Sequence, residues 1–136
     1  MGAKQGFMNR GARDLNVLKV LACTADKTLT NRHCEFLITN RGATATVAIT
    51  MPAPATCKGK KIYFAQIAGY TLTFVSTGKL VLFNDATADS ISFATSSELI
   101  GNRGFFLSDG TSWIPFVDTT PIGVAITGDS TVTIGT

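Results

Sequence analysis

Phe105-Phe106-Leu107-Ser108-Asp109-Gly110-Thr111-Ser112-Trp113-Ile114-Pro115-Phe116 sets two apolar runs on either side of a short polar tip. The tip has hairpin chemistry: Gly110 accepts a positive φ without steric cost, and the Asp109 carboxylate can bond backbone N–H groups two residues on. Trp113, the single tryptophan, follows on the returning strand, where its ring can cover a sheet and its indole N–H can reach a partner. The stretch predicts a closing hairpin of an all-β domain.

The rest of the chain supports that class. Thr44–Met51 alternates, with Val47, Ile49 and Met51 on one face, until Pro52 and Pro54 stop the strand. Cys34–Thr39, Lys61–Ile67, Tyr70–Val75, Lys79–Phe83, Ser90–Ala94, Gly123–Thr127 and Thr131–Ile134 also read as strands, and Leu15–Cys23 as a strand or one short helix, its β-branched content favouring the strand. Tyr70, Leu72 and Phe74 are expected to face the core, and Ser76-Thr77-Gly78 to separate two strands. The expectation is a jelly-roll-like β-sandwich of about ten short strands over residues 15–136. Spacing between apolar triplets is too irregular to predict a β-helix. Residues 1–14 carry Gly2, Gly6, Gly11, Lys4, Arg10 and Arg13 without periodicity and read as an extended basic arm, with Phe7 and Met8 as apolar anchors.

Charge is uneven along the chain. Residues 1–61 hold ten Lys/Arg against three Asp/Glu, and residues 62–136 hold two against six, so the first segment is the one suited to an acidic partner. Its bases are scattered except for Lys58, Lys60 and Lys61, with no interleaved stacking aromatics, which argues against nucleic acid. Charged residues make up only 15% of the chain, a surface suited to contact with protein. Residues 1–8 lack the apolar core of a signal peptide, and no apolar run is long enough to cross a bilayer.

Chemistry-bearing clusters are not evident. Cys23, Cys34 and Cys57 are odd in number and lack metal-ligand spacing, so three reduced thiols in a chain folded in the cytoplasm are expected, with one disulfide and one leftover thiol as the alternative. His33 is the only histidine and reads as a rim residue beside Arg32. Asp85, Asp89, Asp109, Asp118 and Asp129 read as turn formers, and no nucleophile elbow, phosphate loop or calcium loop is present. Neither an enzyme nor a bound metal or cofactor is expected.

Met51-Pro52-Ala53-Pro54-Ala55, then Gly59 with Ile62-Tyr63-Phe64, then Leu107-Ser108-Asp109-Gly110-Thr111-Ser112-Trp113 form an ordered set. The set resembles small β-domains of tailed-bacteriophage virions, in head decoration (cement) proteins and tail-fibre modules, across roughly residues 26–116. Met51 stands where that pattern more often has Leu, a volume-conserving change. The resemblance implies a decoration protein on the outer capsid surface of the virion, acting as a symmetric homo-oligomer, a trimer above all, that bridges major capsid subunits. Met1 at the start and the lack of a preceding shaft favour decoration over a fibre. Phe7, Met8, Arg10, Arg13 and Lys19 are the expected capsid contacts, the arginines pairing with capsid carboxylates, and Trp113 and Phe116 the candidate oligomer interface. The alternative is a tail-fibre or receptor/carbohydrate-binding module using Tyr70, Trp113 or loop aspartates.

Overall fold

The computed structural model describes residues 17–82, 84–94 and 100–118 and the backbone of strand 131–135. Ten strands are found among them: β1 (Lys19–Ala22), β2 (Lys27–Thr28), β3 (Phe36–Thr39), β4 (Val47–Thr50), β5 (Lys61–Ala65), β6 (Leu72–Leu82), β7 (Asp85–Ala94), β8 (Arg103–Ser108), β9 (Trp113–Asp118) and β10 (Thr131–Gly135). The expected arm at 1–14 and the expected strand at 123–127 lie outside the described residues.

The strands form one curled sheet that folds into two leaves. The first has the order β1-β3-β5-β8-β9 and the second β2-β4-β6-β7-β10; a single bridge between Leu80 and Trp113 joins β6 to β9 at the corner. The all-β, sandwich-like expectation holds. Its connectivity is not that of a jelly roll, whose Greek keys are antiparallel. From β1 to β6 the chain alternates between leaves, so β1, β3 and β5 run parallel in one and β2, β4 and β6 parallel in the other. The winding escapes a search for repeats because its turns are unequal. Lys19 lies beside Phe36 and Leu37 beside Tyr63, advances of 17 and 26 residues. Only after β6 does the chain turn to antiparallel hairpins, β6–β7 and β8–β9.

The core fills the space between the leaves. Phe64 and Phe106 from the first meet Phe74 and Phe93 from the second, with ring centroids 4.8 to 5.3 Å apart for Phe64 against the other three. All four rings are buried, and at roughly 2 kcal/mol or more each they are a large share of the apolar driving force. Val47, Ile49 and Met51 are buried on one side of β4, as its alternation predicts. Tyr70 is not: it lies in the bend before β6 and is 42% exposed. Ser76-Thr77-Gly78 does not interrupt the strand either. β6 continues through it with a register shift, bent where Gly78 adopts φ 67° and donates its N–H to Asp89 at 2.8 Å.

A buried amide network ties the leaves together. Asn40 accepts from Ile67 and Ala68 N–H at 2.7 and 2.9 Å, which fixes the crossover leading to β6. Gln66 donates to the carbonyls of Tyr70 and Phe93 and accepts from the Asn102 side chain at 2.7 Å. With these partners satisfied, buried amides rigidify the crossover instead of destabilising it.

The expectation of three free thiols is overturned. Cys34 and Cys57 form a disulfide with Cα atoms 6.0 Å apart, leaving Cys23 as the free thiol. Parallel pairing of β3 with β5 brings the segment just before β3 next to the turn before β5, a proximity that cysteine spacing alone does not encode. Burial pushes the Cys23 thiol pKa up, against a smaller opposing pull from Lys27, so this group is a packing residue.

Candidate functional site

The hairpin that decides the fold is β8–β9, and its tip forms as its residues dictate. Gly110 takes φ 93°, and the Asp109 carboxylate accepts from the N–H groups of Thr111 and Ser112, both at 2.8 Å. The bonds from Ser112 and Thr111 hold the Asp109 carboxyl below its ordinary pKa.

Trp113 corrects the sequence expectation of an oligomer contact. It is fully buried and donates its indole N–H to the Pro52 carbonyl at 2.9 Å. Ser108, at the other side of the tip, donates its hydroxyl to the Pro54 carbonyl at 2.6 Å. The proline segment therefore ends β4 and also presents two carbonyls to the hairpin, so two separated pieces of the sequence pattern form one structural unit.

Phe116, the other candidate, is 49% exposed, and its ring stacks on Phe105 with centroids 4.8 Å apart. Strand register extends this pair across the whole outer side of the first leaf. Val20 lies beside Leu37, Leu37 beside Tyr63, Tyr63 beside Phe105, and Phe105 beside Phe116, one apolar residue per strand across five strands. Leu107 and Ile114 continue it on one side and Ala65 on the other. Val20 and Phe116 are the exposed ends of the row, and Leu37, Tyr63 and Phe105 between them are half-buried. A continuous apolar row on the outside of a sheet, next to charged side chains, is a candidate contact surface.

Charged side chains share the rows on either side of this apolar row, Lys61 with Leu107 and Ile114, and Arg103 and Asp118 with Ala65. Lys61 Nζ rests 4.4 Å from the Phe105 ring centroid, and Arg103 pairs with Asp118 at 3.4 Å at the far end of the ladder. Lys19 lies on the other side of β1 from Val20, beside Phe36, with its Nζ 5.9 Å from the Phe36 ring centroid. An apolar centre with a polar rim is the anatomy of a protein interface. Gly104 makes the face possible, because a Cβ there would run into the Phe116 carbonyl and hold β9 away from β8.

Lys19 and Phe116 are thus brought to the same leaf, whereas Phe7, Met8, Arg10 and Arg13 lie outside the described residues. Val20, Leu37, Tyr63 and Phe105 are the face residues that the sequence reading missed. Their signal was the unbroken apolar run in strands such as Phe105-Phe106-Leu107, which marks a strand covered on both sides.

Other candidate groups are engaged locally. Asp85 accepts from Thr87 N–H and Asp26 from Ala48 N–H, each at 2.8 Å, and His33 Nδ1 accepts from Thr30 N–H at 2.9 Å. Among the described residues no three His, Cys, Asp or Glu side chains are grouped to hold a metal ion, and no helix is long and apolar enough to cross a membrane. No family model matches the chain, and no curated protein matches it.

Proposed function

We propose that this chain is a structural protein of a tailed-phage virion that decorates the outer surface of the head and stabilises contacts between major capsid subunits. The observation that carries the reading is the apolar row on the outer side of the first leaf, which spans five strands and is flanked by Lys61 and the Arg103–Asp118 pair. Such a face gains free energy when it is covered and removed from water. The union of the Pro52–Pro54 segment with the Ser108–Trp113 hairpin adds support, since the features that resemble virion β-domains work together in the fold. The basic residues of the first 61 positions suit an acidic shell.

Labelling the protein on purified virions and counting copies by electron microscopy tests the reading. Decoration gives a copy number tied to shell symmetry. A few copies confined to the tail would replace it with the tail-fibre or receptor-binding alternative, and absence from particles would end both.

A further inference from the structure

We propose that Asp109-Gly110 is a site of covalent modification, at which the chain can rearrange to isoaspartate through a cyclic imide, and that the folded hairpin keeps it closed through the Ser108 hydroxyl. The site lies at the hairpin tip, apart from the apolar row of the first leaf, and stands whether or not that row meets a capsid.

The chemistry is set by residue type. Asp109-Gly110 is the one place in the 136 residues where Asp or Asn precedes Gly. The Gly110 amide nitrogen can attack Asp109 Cγ because no Cβ on Gly110 blocks the approach. The N–Cγ bond forms, the Cγ–OH bond breaks, and the hydroxyl leaves with the amide proton as water. Water then opens the ring: cleavage at the Cγ carbonyl restores aspartate, and cleavage at the α-carbonyl leaves the main chain running through Cγ. Nothing is oxidised or reduced, and one oxygen of the product comes from solvent. Asp109 is exposed, so solvent reaches it.

Three contacts of the fold oppose the attack. The Gly110 N–H, whose proton must leave, donates to Ser108 Oγ at 3.1 Å, and that hydroxyl is buried and fixed by its own bond to the Pro54 carbonyl at 2.6 Å. Asp109 Oδ1 accepts from both Thr111 and Ser112 N–H at 2.8 Å; these bonds keep the carboxyl ionised to lower pH, and the ionised form is the poorer electrophile. The Lys58 stem lies against Gly110, where an added Cβ would come within 2.9 Å of its Cδ, so Gly110 is covered on that side.

Ser108 is the member of this set that joins the tip to the proline segment, so the guard lasts as long as hairpin and segment stay docked. Rearrangement would in turn undo the docking. Isoaspartate adds one backbone atom to a tip whose flanks, Ser108 and Trp113, are bonded to Pro54 and Pro52, and loop length sets hairpin register.

Incubation of the full chain in heavy-oxygen water at neutral pH, followed by peptide mapping with mass spectrometry, is the test. The parent unfolded in guanidinium chloride is expected to take up solvent oxygen at Asp109 and to yield a second, isomeric peptide; the native parent is expected to do so far more slowly. Ser108→Ala, its fold checked by far-ultraviolet circular dichroism and Trp113 emission, should convert roughly fivefold faster than the native parent, the factor to which the net worth of one hydrogen bond corresponds. A native parent converted as fast as the unfolded chain, a folded Ser108→Ala no faster than the parent, or label lodged at another aspartate overturns the inference. If Ser108→Ala does not fold, the parent in graded guanidinium chloride serves: conversion must follow the shift in Trp113 emission, and conversion already at its unfolded rate before that shift overturns the inference equally.

Discussion

Replacing Trp113 with Phe tests whether the hairpin and the proline segment are one unit. The indole N–H is the donor to the buried Pro52 carbonyl at 2.9 Å, and Phe has nothing to offer in its place. Leaving a buried acceptor without its donor costs about 1–3 kcal/mol. The smaller ring also leaves roughly 40 Å³ unfilled, which adds about 1 kcal/mol. The total, about 2–4 kcal/mol, is a large share of the stability of a domain this size and lowers the melting temperature by roughly 10 °C. Chemical denaturation of the Trp113→Phe, Ser108→Ala and double variants gives the coupling directly. Because both donors hold the same short segment, the two losses are expected to be non-additive. As the only tryptophan, Trp113 in the native chain also reports on itself: its emission should be blue-shifted and resistant to an aqueous quencher. Native emission quenched as readily as in the unfolded chain, or a Trp113→Phe variant as stable as the parent, would refute the reasoning.

Three further outcomes follow from the geometry. Gly104→Ala drives a Cβ into the Phe116 carbonyl and should cost about 3 kcal/mol in chemical denaturation while separating the Phe105 and Phe116 rings. Replacing both Cys34 and Cys57 with Ala frees the closed loop between positions 23 residues apart and should cost about 3 kcal/mol by loop entropy, read as a lower melting temperature that reducing agent reproduces in the parent. Asp109 is held below its ordinary pKa of 3.8 in the fold, so its bonds to Ser112 and Thr111 stabilise the tip above that pH and are lost as pH falls through the lower folded value. The protection factors of the Thr111 and Ser112 amides, their exchange relative to the unstructured rate at the same pH, should therefore be steady above the lowered folded value and fall below it, and Asp109→Asn should remove that dependence.

Local chemistry made the strands and the hairpin tip legible. Asp109, Gly110 and the alternation of Val47, Ile49 and Met51 act through neighbours in sequence, so their geometry can be read from the chain. Pairing partners could not be read in this way. Whether Leu37 lies beside Tyr63 depends on how many residues the chain spends crossing to the other leaf, and these crossings differ in length. The disulfide shares this origin, because Cys34 and Cys57 meet only once β3 and β5 run side by side. Trp113 shows a different limit: its chemistry required a partner for the N–H, but residue type alone does not decide between a neighbouring molecule and Pro52. For the contact face, the informative feature was apolar residues at both parities of a strand. β4 alternates and has one covered side, whereas Ile62, Tyr63 and Phe64 in β5, and Phe105, Phe106 and Leu107 in β8, are apolar without a break.

The account depends on the outer side of the first leaf being covered when the protein is at work. Hydroxyl-radical footprinting of the assembled protein against the dilute chain measures this directly, with Tyr70, 42% exposed in the bend before β6, as an internal reference. Protection of Phe116, Tyr63 and Phe105 on assembly, with Tyr70 unchanged, is the predicted result; Phe116 as reactive in the assembly as in the dilute chain would contradict it.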